Sequence, residues 1–184
     1  MVQKRDNLDS EIIQFLLRQE YHIRGLAKAL NESHSTILRK LDKLVKKDVL
    51  DSKKEGKNKI FFIKKNIISK NYILQSEISK LTSLINKYPE LMVVLEEISR
   101  KVDEKLIVIF GSYAKLKVKK DSDIDVYIET TNRNIKQLVE GIHPKINVKI
   151  GLFDLKSNLI KEIIKNHIIV RGFEELYEKE QFFE

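Results

Sequence analysis

The sequence predicts an α+β fold in two parts, and three observations predict it. The first third carries three short amphipathic segments followed by a strand, a basic turn and a strand. From residue 89 onward, strand-like and helix-like segments alternate. Between them, residues 67–88 (IISKNYILQSEISKLTSLINKY) contain neither Gly nor Pro, the pattern of a continuous helix. The expected organisation is a small N-terminal domain over 1–66, a helical connector over 67–88 and a second domain over 89–184.

The first helix is expected over SEIIQFLLRQ, capped by Asp9 or Ser10, with Ile12, Ile13, Leu16 and Leu17 as its apolar face. A second, HIRGLAKAL, spaces Ile23, Leu26, Ala27 and Leu30 for burial. After the polar connection Asn31-Glu32-Ser33, a third helix from about His34 to Lys47 would bury Ile37, Leu38, Leu41, Leu44 and Val45. Its other face carries Ser35, Thr36, Arg39, Lys40, Lys43 and Lys47. The stretch VLDSKKEGKNKIFFIKK then reads as two strands about a turn at Gly56. In the connector, Ile73, Leu74, Ile78, Leu81, Leu84 and Ile85 recur at helical spacing. Packing within one chain is the simpler account of that stripe, and a homodimer formed through it is the alternative.

Charge separates the two parts. Residues 1–70 hold 17 Lys and Arg against 9 Asp and Glu, so the whole formal net charge of +8 lies there, and residues 71–184 hold 18 of each. A basic module joined to a neutral one points to nucleic acid as a partner of the first. The N-terminal pattern resembles the winged helix-turn-helix of many prokaryotic regulators. That resemblance places the third helix in the DNA major groove, with Ser35, Thr36, Arg39 and Lys40 as candidate base readers. Lys43, Lys53, Lys54, Lys57 and Lys59 are the candidate phosphate contacts. The chain has no Cys, which removes disulfides, thiolate metal sites and thiol catalysis. No apolar run approaches a membrane span, and the N-terminus lacks an apolar signal region, so no membrane partner and a cytoplasmic location are expected.

The chemistry lies in GSYAKLKVKKDSDIDVYI, from Gly111 to Ile128. A strand, Leu106 to Phe110, runs into Gly111-Ser112, and a short helix is expected over Tyr113 to Leu116. Gly111 permits close approach of the backbone to a ligand. Ser112 offers a hydroxyl and an amide to phosphate oxygens. Asp123 and Asp125, two apart at the start of the next strand, share one face. Paired carboxylates suit Mg²⁺ or Mn²⁺ bound together with substrate phosphates.

This layout, Gly-Ser, about ten residues, then Asp-x-Asp, resembles the DNA polymerase beta nucleotidyltransferase superfamily, and its minimal members most. The resemblance spans about Pro89 to Tyr177. It implies a mixed sheet with flanking helices, a nucleoside triphosphate held by Gly111 and Ser112, and metal ions held by the catalytic pair Asp123 and Asp125. It also implies transfer of a nucleoside monophosphate to a hydroxyl, and a small helical toxin-like protein as partner. The family's third carboxylate belongs on a later strand, here Lys145 to Phe153. Alternation on that strand sets Lys145, Asn147, Lys149 and Gly151 on the site face, so Asn147 or Lys149 stands where the acid is expected, and Lys149 becomes a candidate phosphate contact. Asp154, at the strand's end, is the nearest acid. Two functions follow: a metal-dependent nucleotidyltransferase fused to a DNA-binding domain, or a DNA-binding regulator whose second domain senses a nucleotide or binds a partner.

Overall fold

The computed structural model describes residues 7–183. They divide into two compact units, with the boundary between Ser79 and Lys80 and with Phe183 grouped with the first.

In the first unit, α1 (Leu8–Arg18) buries Leu8, Ile12, Ile13 and Leu16. It starts earlier than Asp9 or Ser10 would allow as caps. Asn7 stands at the N-cap, and Asp9 lies in the first turn, where its charge suits the helix dipole. A two-residue strand, β1 (Tyr21–His22), precedes α2 (Ile23–Leu30). The His22 Nδ1 caps α2 by accepting from the Gly25 amide at 2.9 Å. The chain leaves α2 through Asn31 in the left-handed region (φ 52°). Ser33 caps α3 (His34–Lys46), its Oγ accepting from the Thr36 amide at 3.1 Å. Ile37, Leu41 and Leu44 point inward. Leu38, expected in the core, is 36% exposed instead. Strands β2 (Leu50–Glu55) and β3 (Asn58–Ile63) pair antiparallel about Gly56-Lys57, from Leu50 opposite Ile63 to Glu55 opposite Asn58. The short β1 joins them, giving the order β1-β3-β2. Three helices and this three-stranded sheet make a winged helix-turn-helix.

Helix α4 (Ile67–Lys87) begins in the first unit and ends in the second. Asn66 caps it, its Oδ1 accepting from the Ser69 amide at 2.8 Å. The apolar stripe expected along this helix is split between faces. Ile73 and Leu84 are fully buried, whereas Ile78 is 56% exposed.

The second unit continues with α5 (Glu90–Lys101), β4 (Ile107–Ile109), α6 (Gly111–Ala114), β5 (Ile124–Glu129) and α7 (Arg133–Glu140). It ends with β6 (Ile146–Gly151), α8 (Asn158–Lys165), β7 (Ile168–Arg171) and α9 (Phe173–Lys179). The sheet order is β6-β5-β4-β7, with β5 and β6 parallel and the other pairs antiparallel. Ile107, Ile109, Ile124, Val126, Ile128, Ile146, Val148 and Ile168 enter one core with Leu91, Val94, Leu95 and Ile98 of α5 and Val139 of α7. Alternation then forces Asp125, Tyr127, Asn147 and Lys149 onto the other face. Among the described residues no helix is long and apolar enough to cross a membrane.

The end of β7 locks the rear of this unit. The Arg171 guanidinium donates to the carbonyls of Ser99, at 2.6 Å, and Val102, which closes the C-terminus of α5 with a cation. Gly172 follows at φ +91°, and a Cβ there would lie 2.2 Å from the Lys105 carbonyl oxygen. The left-handed region costs a residue with a Cβ about 1–2 kcal/mol, and the clash adds to it, so Gly172→Ala should destabilise the unit by about 2–4 kcal/mol. Urea unfolding followed by circular dichroism measures this; an unchanged transition would contradict the packing described.

Candidate functional site

The site forms where β4, α6, β5 and β6 meet. The Phe110 amide donates to the Asp125 carbonyl at 3.0 Å, which ties the turn after β4 to β5. The chain then enters α6 at Gly111, with φ +69°. A Cβ on Gly111 would lie 2.2 Å from Asp125 Oδ2 and 3.1 Å from its Cγ. Glycine is therefore required twice over, for its backbone conformation and for the carboxylate against it. The Ser112 Oγ is buried with no hydrogen-bond partner, which leaves a polar atom unsatisfied beside this carboxylate turn.

The parallel register sets Asp125 beside Asn147 and Tyr127 beside Lys149. Asn147 Nδ2 donates to Asp125 Oδ1 at 2.8 Å. Asp125 Oδ1 thus accepts a hydrogen bond from Asn147, while Oδ2 lies beside the space a Gly111 side chain would fill. Asp125 is partly buried, Asp123 is exposed just before β5 begins, and Lys149 is exposed. Burial is the main cause that pushes the Asp125 carboxyl above its ordinary range. The Asn147 hydrogen bond and the Lys149 charge oppose it, while the Asp123 and Glu162 charges add to it.

Glu162, on α8, was not among the candidates read from the sequence. It pairs with Lys115, directly after α6, at 3.0 Å. Only the tertiary fold brings α8 to α6, so no local pattern marks Glu162. Asp154 lies three residues beyond the end of β6, is exposed, and accepts from the Lys156 amide at 2.9 Å in its own turn. Lys117, Lys119 and Lys120, between the two motif halves, are exposed. Tyr113 belongs to the core: it is 6% exposed and packs edge-on to Tyr88, with ring centroids 5.4 Å apart. Among the described residues, no group of three or more His, Cys, Asp or Glu is placed to hold a metal ion. Two carboxylates and an unsatisfied hydroxyl fit an ion that arrives with phosphate oxygens of its own.

Residues 93–176, somewhat under half of the chain, match the sequence model of the family described as Polymerase beta, Nucleotidyltransferase. Over those residues the chain is similar to polymerase beta-type nucleotidyltransferase domains. No curated protein matches it significantly. Among solved structures, the Adhesin competence repressor (AdcR) of Streptococcus pyogenes is 23% identical, over 55% of this chain and 83% of that one, with a TM-score of 0.36. ZitR of Lactococcus lactis is 18% identical over 54% of this chain and 74% of that one, also at 0.36. A toxin-antitoxin structure with AMP-PNP is 16% identical over 57% of this chain and 79% of that one, at 0.33. TM-scores this low do not establish a shared overall architecture.

On the winged-helix unit, the outer face of α3 lines an open groove of about 530 Å³ formed by Ser35, Leu38, Arg39, Asp42, Lys43, Lys46 and Lys47. Ser35, Arg39 and Lys43 are exposed, and Lys57 is exposed at the wing tip. Thr36 is half-buried, its hydroxyl accepting from Ser33 Oγ at 2.8 Å. Lys40 turns toward α1, with its Nζ 2.8 Å from Asp9 Oδ1. Lys53 pairs with Glu20 at 2.5 Å. Ser35, Arg39, Lys43 and Lys57 thus face solvent, whereas Lys40 has its charge partly committed to α1.

The Asp125 shift yields a pH prediction. A carboxyl whose folded pKa stands above its unfolded value, ~3.9 for Asp, penalises the fold once it ionises. The penalty is absent below the unfolded value and grows as pH rises through the folded one. Asp125→Asn, which still accepts from Asn147, should therefore melt higher than wild type at pH 7 in EDTA, with the gain fading toward pH ~4. A melting difference that stays constant between those pH values would contradict the burial of this carboxylate.

Proposed function

We propose that this chain is a DNA-binding regulator whose nucleotidyltransferase domain binds a nucleoside triphosphate with Mg²⁺ or Mn²⁺ and transfers a nucleoside monophosphate to a protein or RNA hydroxyl. The observation that carries the reading is Gly111 pressed against the Asp125 carboxylate beside the unsatisfied Ser112 hydroxyl. Ser112 and the amides at the start of α6 would receive phosphate oxygens. Asp123 and Asp125 would hold the metal, which supplies neutralisation of phosphate charge and alignment of the reacting oxygens. Lys149, exposed on the same sheet face, would meet the triphosphate.

Asn147 favours a second reading, in which the domain senses a nucleotide and transfers little or nothing. An amide donor occupies the strand position facing Asp125, so no carboxylate there can take the acceptor's proton. General-base assistance is worth ~10²–10⁴-fold, and its absence would leave transfer slow. A small helical toxin-like protein is the acceptor to try first, on family resemblance.

Calorimetry with ATP and the other triphosphates separates these readings from a non-binding domain. Metal-dependent binding is expected in wild type and is lost in Asp123→Asn/Asp125→Asn. Binding that is absent, or unaffected by the double substitution, would remove the site. Labelled-nucleotide transfer then distinguishes enzyme from sensor. Slow transfer that rises in Asn147→Asp marks a weakened enzyme, and transfer lost in Glu162→Gln or Asp154→Ala assigns the base to that acid. No transfer in any variant leaves the sensor.

For DNA, affinity should reside in the winged-helix unit and fall with salt, with a log–log slope near −0.9 per phosphate neutralised. Arg39→Ala should change sequence preference, and Lys57→Ala should weaken all sequences alike. Mobility shifts over a salt series check both, and equal DNA binding by residues 80–184 alone would refute the assignment.

A further inference from the structure

Leu38 is an apolar residue on a face of α3 that is otherwise charged or polar, and it is 36% exposed there. A lone exposed leucine is ordinary on a protein surface, so its place has to carry the argument. The core does not depend on it, since Ile37, Leu41 and Leu44 of the same helix are fully buried. At about 3.6 residues per turn, Ser35, Asp42 and Lys46 run along the middle of the exposed face, with Leu38 on one side and Arg39 on the other. Lys43 and Lys47 lie beyond Arg39, so the cations are concentrated on that side. All of these residues line the open groove of about 530 Å³, which is built from α3 and its C-cap Lys47.

We infer that Leu38 is a specificity-determining residue that reads the C5-methyl group of a thymine in the DNA major groove. The inference rests on the proposed DNA binding of the winged-helix unit, and it adds a base that the cationic side chains cannot select. Charge complementarity commits this face to a polyanion, since residues 1–70 hold the whole formal net charge of +8. The thymine methyl is the apolar group that a base edge presents in the major groove. A leucine side chain set against it removes apolar surface from water on both partners. Arg39 is suited instead to guanine O6 and N7. Asp42 fixes which part of the duplex the middle of the face meets. An exposed carboxylate there would repel a phosphate, whereas against base edges it can accept from a cytosine N4 amino group. With Asp42 over the bases, Leu38, one turn before it, lies over the bases too, and Lys43 on the far side is left for the backbone.

The test pairs a change in the DNA with a change in the protein. The full chain selects binding sites from random duplexes at fixed salt. Each thymine of the recovered site is then replaced in turn by deoxyuridine, which lacks only the methyl group. Replacement at one thymine should weaken wild-type binding by about fourfold, the worth of one buried methyl group. Leu38→Ala, at an exposed position, should keep its circular dichroism and bind the thymine and deoxyuridine sites equally. A recovered site with no fixed thymine, a site in which every thymine can be replaced without loss, or a penalty of the same size in Leu38→Ala would each overturn the inference while DNA binding stood. Absence of DNA binding by the full chain would remove the reading beneath it as well.

Discussion

The placement of Gly111 against the Asp125 carboxylate is the constraint on which the C-terminal site depends. It joins the turn that would receive phosphate to the strand that carries the acid, at a distance no side chain could share. That contact exists because β5 has a fixed register. Ile124, Val126 and Ile128 must face the core, so Asp125 must face away from it. A slip by one residue would bury both aspartates and expose the isoleucines. The same logic on β6 buries Ile146 and Val148 and delivers Asn147 to Asp125. The apolar pattern thus builds the site indirectly, by leaving its residues nowhere else to point.

Asn147 has a physical rationale in the metal-free domain. A second carboxylate about 4 Å from Asp125 would cost about 4 kcal/mol at an effective dielectric of 20. Asp125 already resists ionisation because it is partly buried. An amide removes that repulsion and holds Asp125 Oδ1 through a hydrogen bond. The amide thus favours the folded domain where a carboxylate would oppose it.

Where period and chemistry agree locally, the sequence was enough. The alternation of LIVIF and IDVYI, the Gly-Ser turn and the hydroxyl-rich start of α3 each report a local requirement. The strands are shorter than their apolar runs, because pairing in β4 stops at Ile109 while burial continues through Phe110. Tertiary partners were not legible. Tyr21–His22 forms a strand only because β3 offers an edge. Lys40 turns to Asp9, and Glu162 reaches Lys115 from a helix 47 residues later. In α4 the apolar residues appear as one stripe, yet they serve two faces, one holding Ile73 and Leu84 and one exposing Ile67 and Ile78. Hydrophobicity alone does not say which partner an apolar residue awaits.

The partition of charge sets how each unit would attract the ligand proposed for it. With all the net charge in residues 1–70, the winged-helix unit carries a long-range field suited to a polyanion, screened within about 8 Å at physiological salt. The rest of the chain is neutral and has no such field. For the proposed triphosphate, any attraction would be local, from Lys117, Lys119, Lys120 and Lys149, and would be opposed at the centre by Asp123 and Asp125. A bare triphosphate would meet two carboxylates at the point of closest approach. A divalent cation reverses the sign of that encounter, since it is attracted by the aspartates and by the phosphates alike. If the domain takes a triphosphate as proposed, the same electrostatics would make that binding depend on a divalent cation, whether the nucleotide is consumed or only sensed.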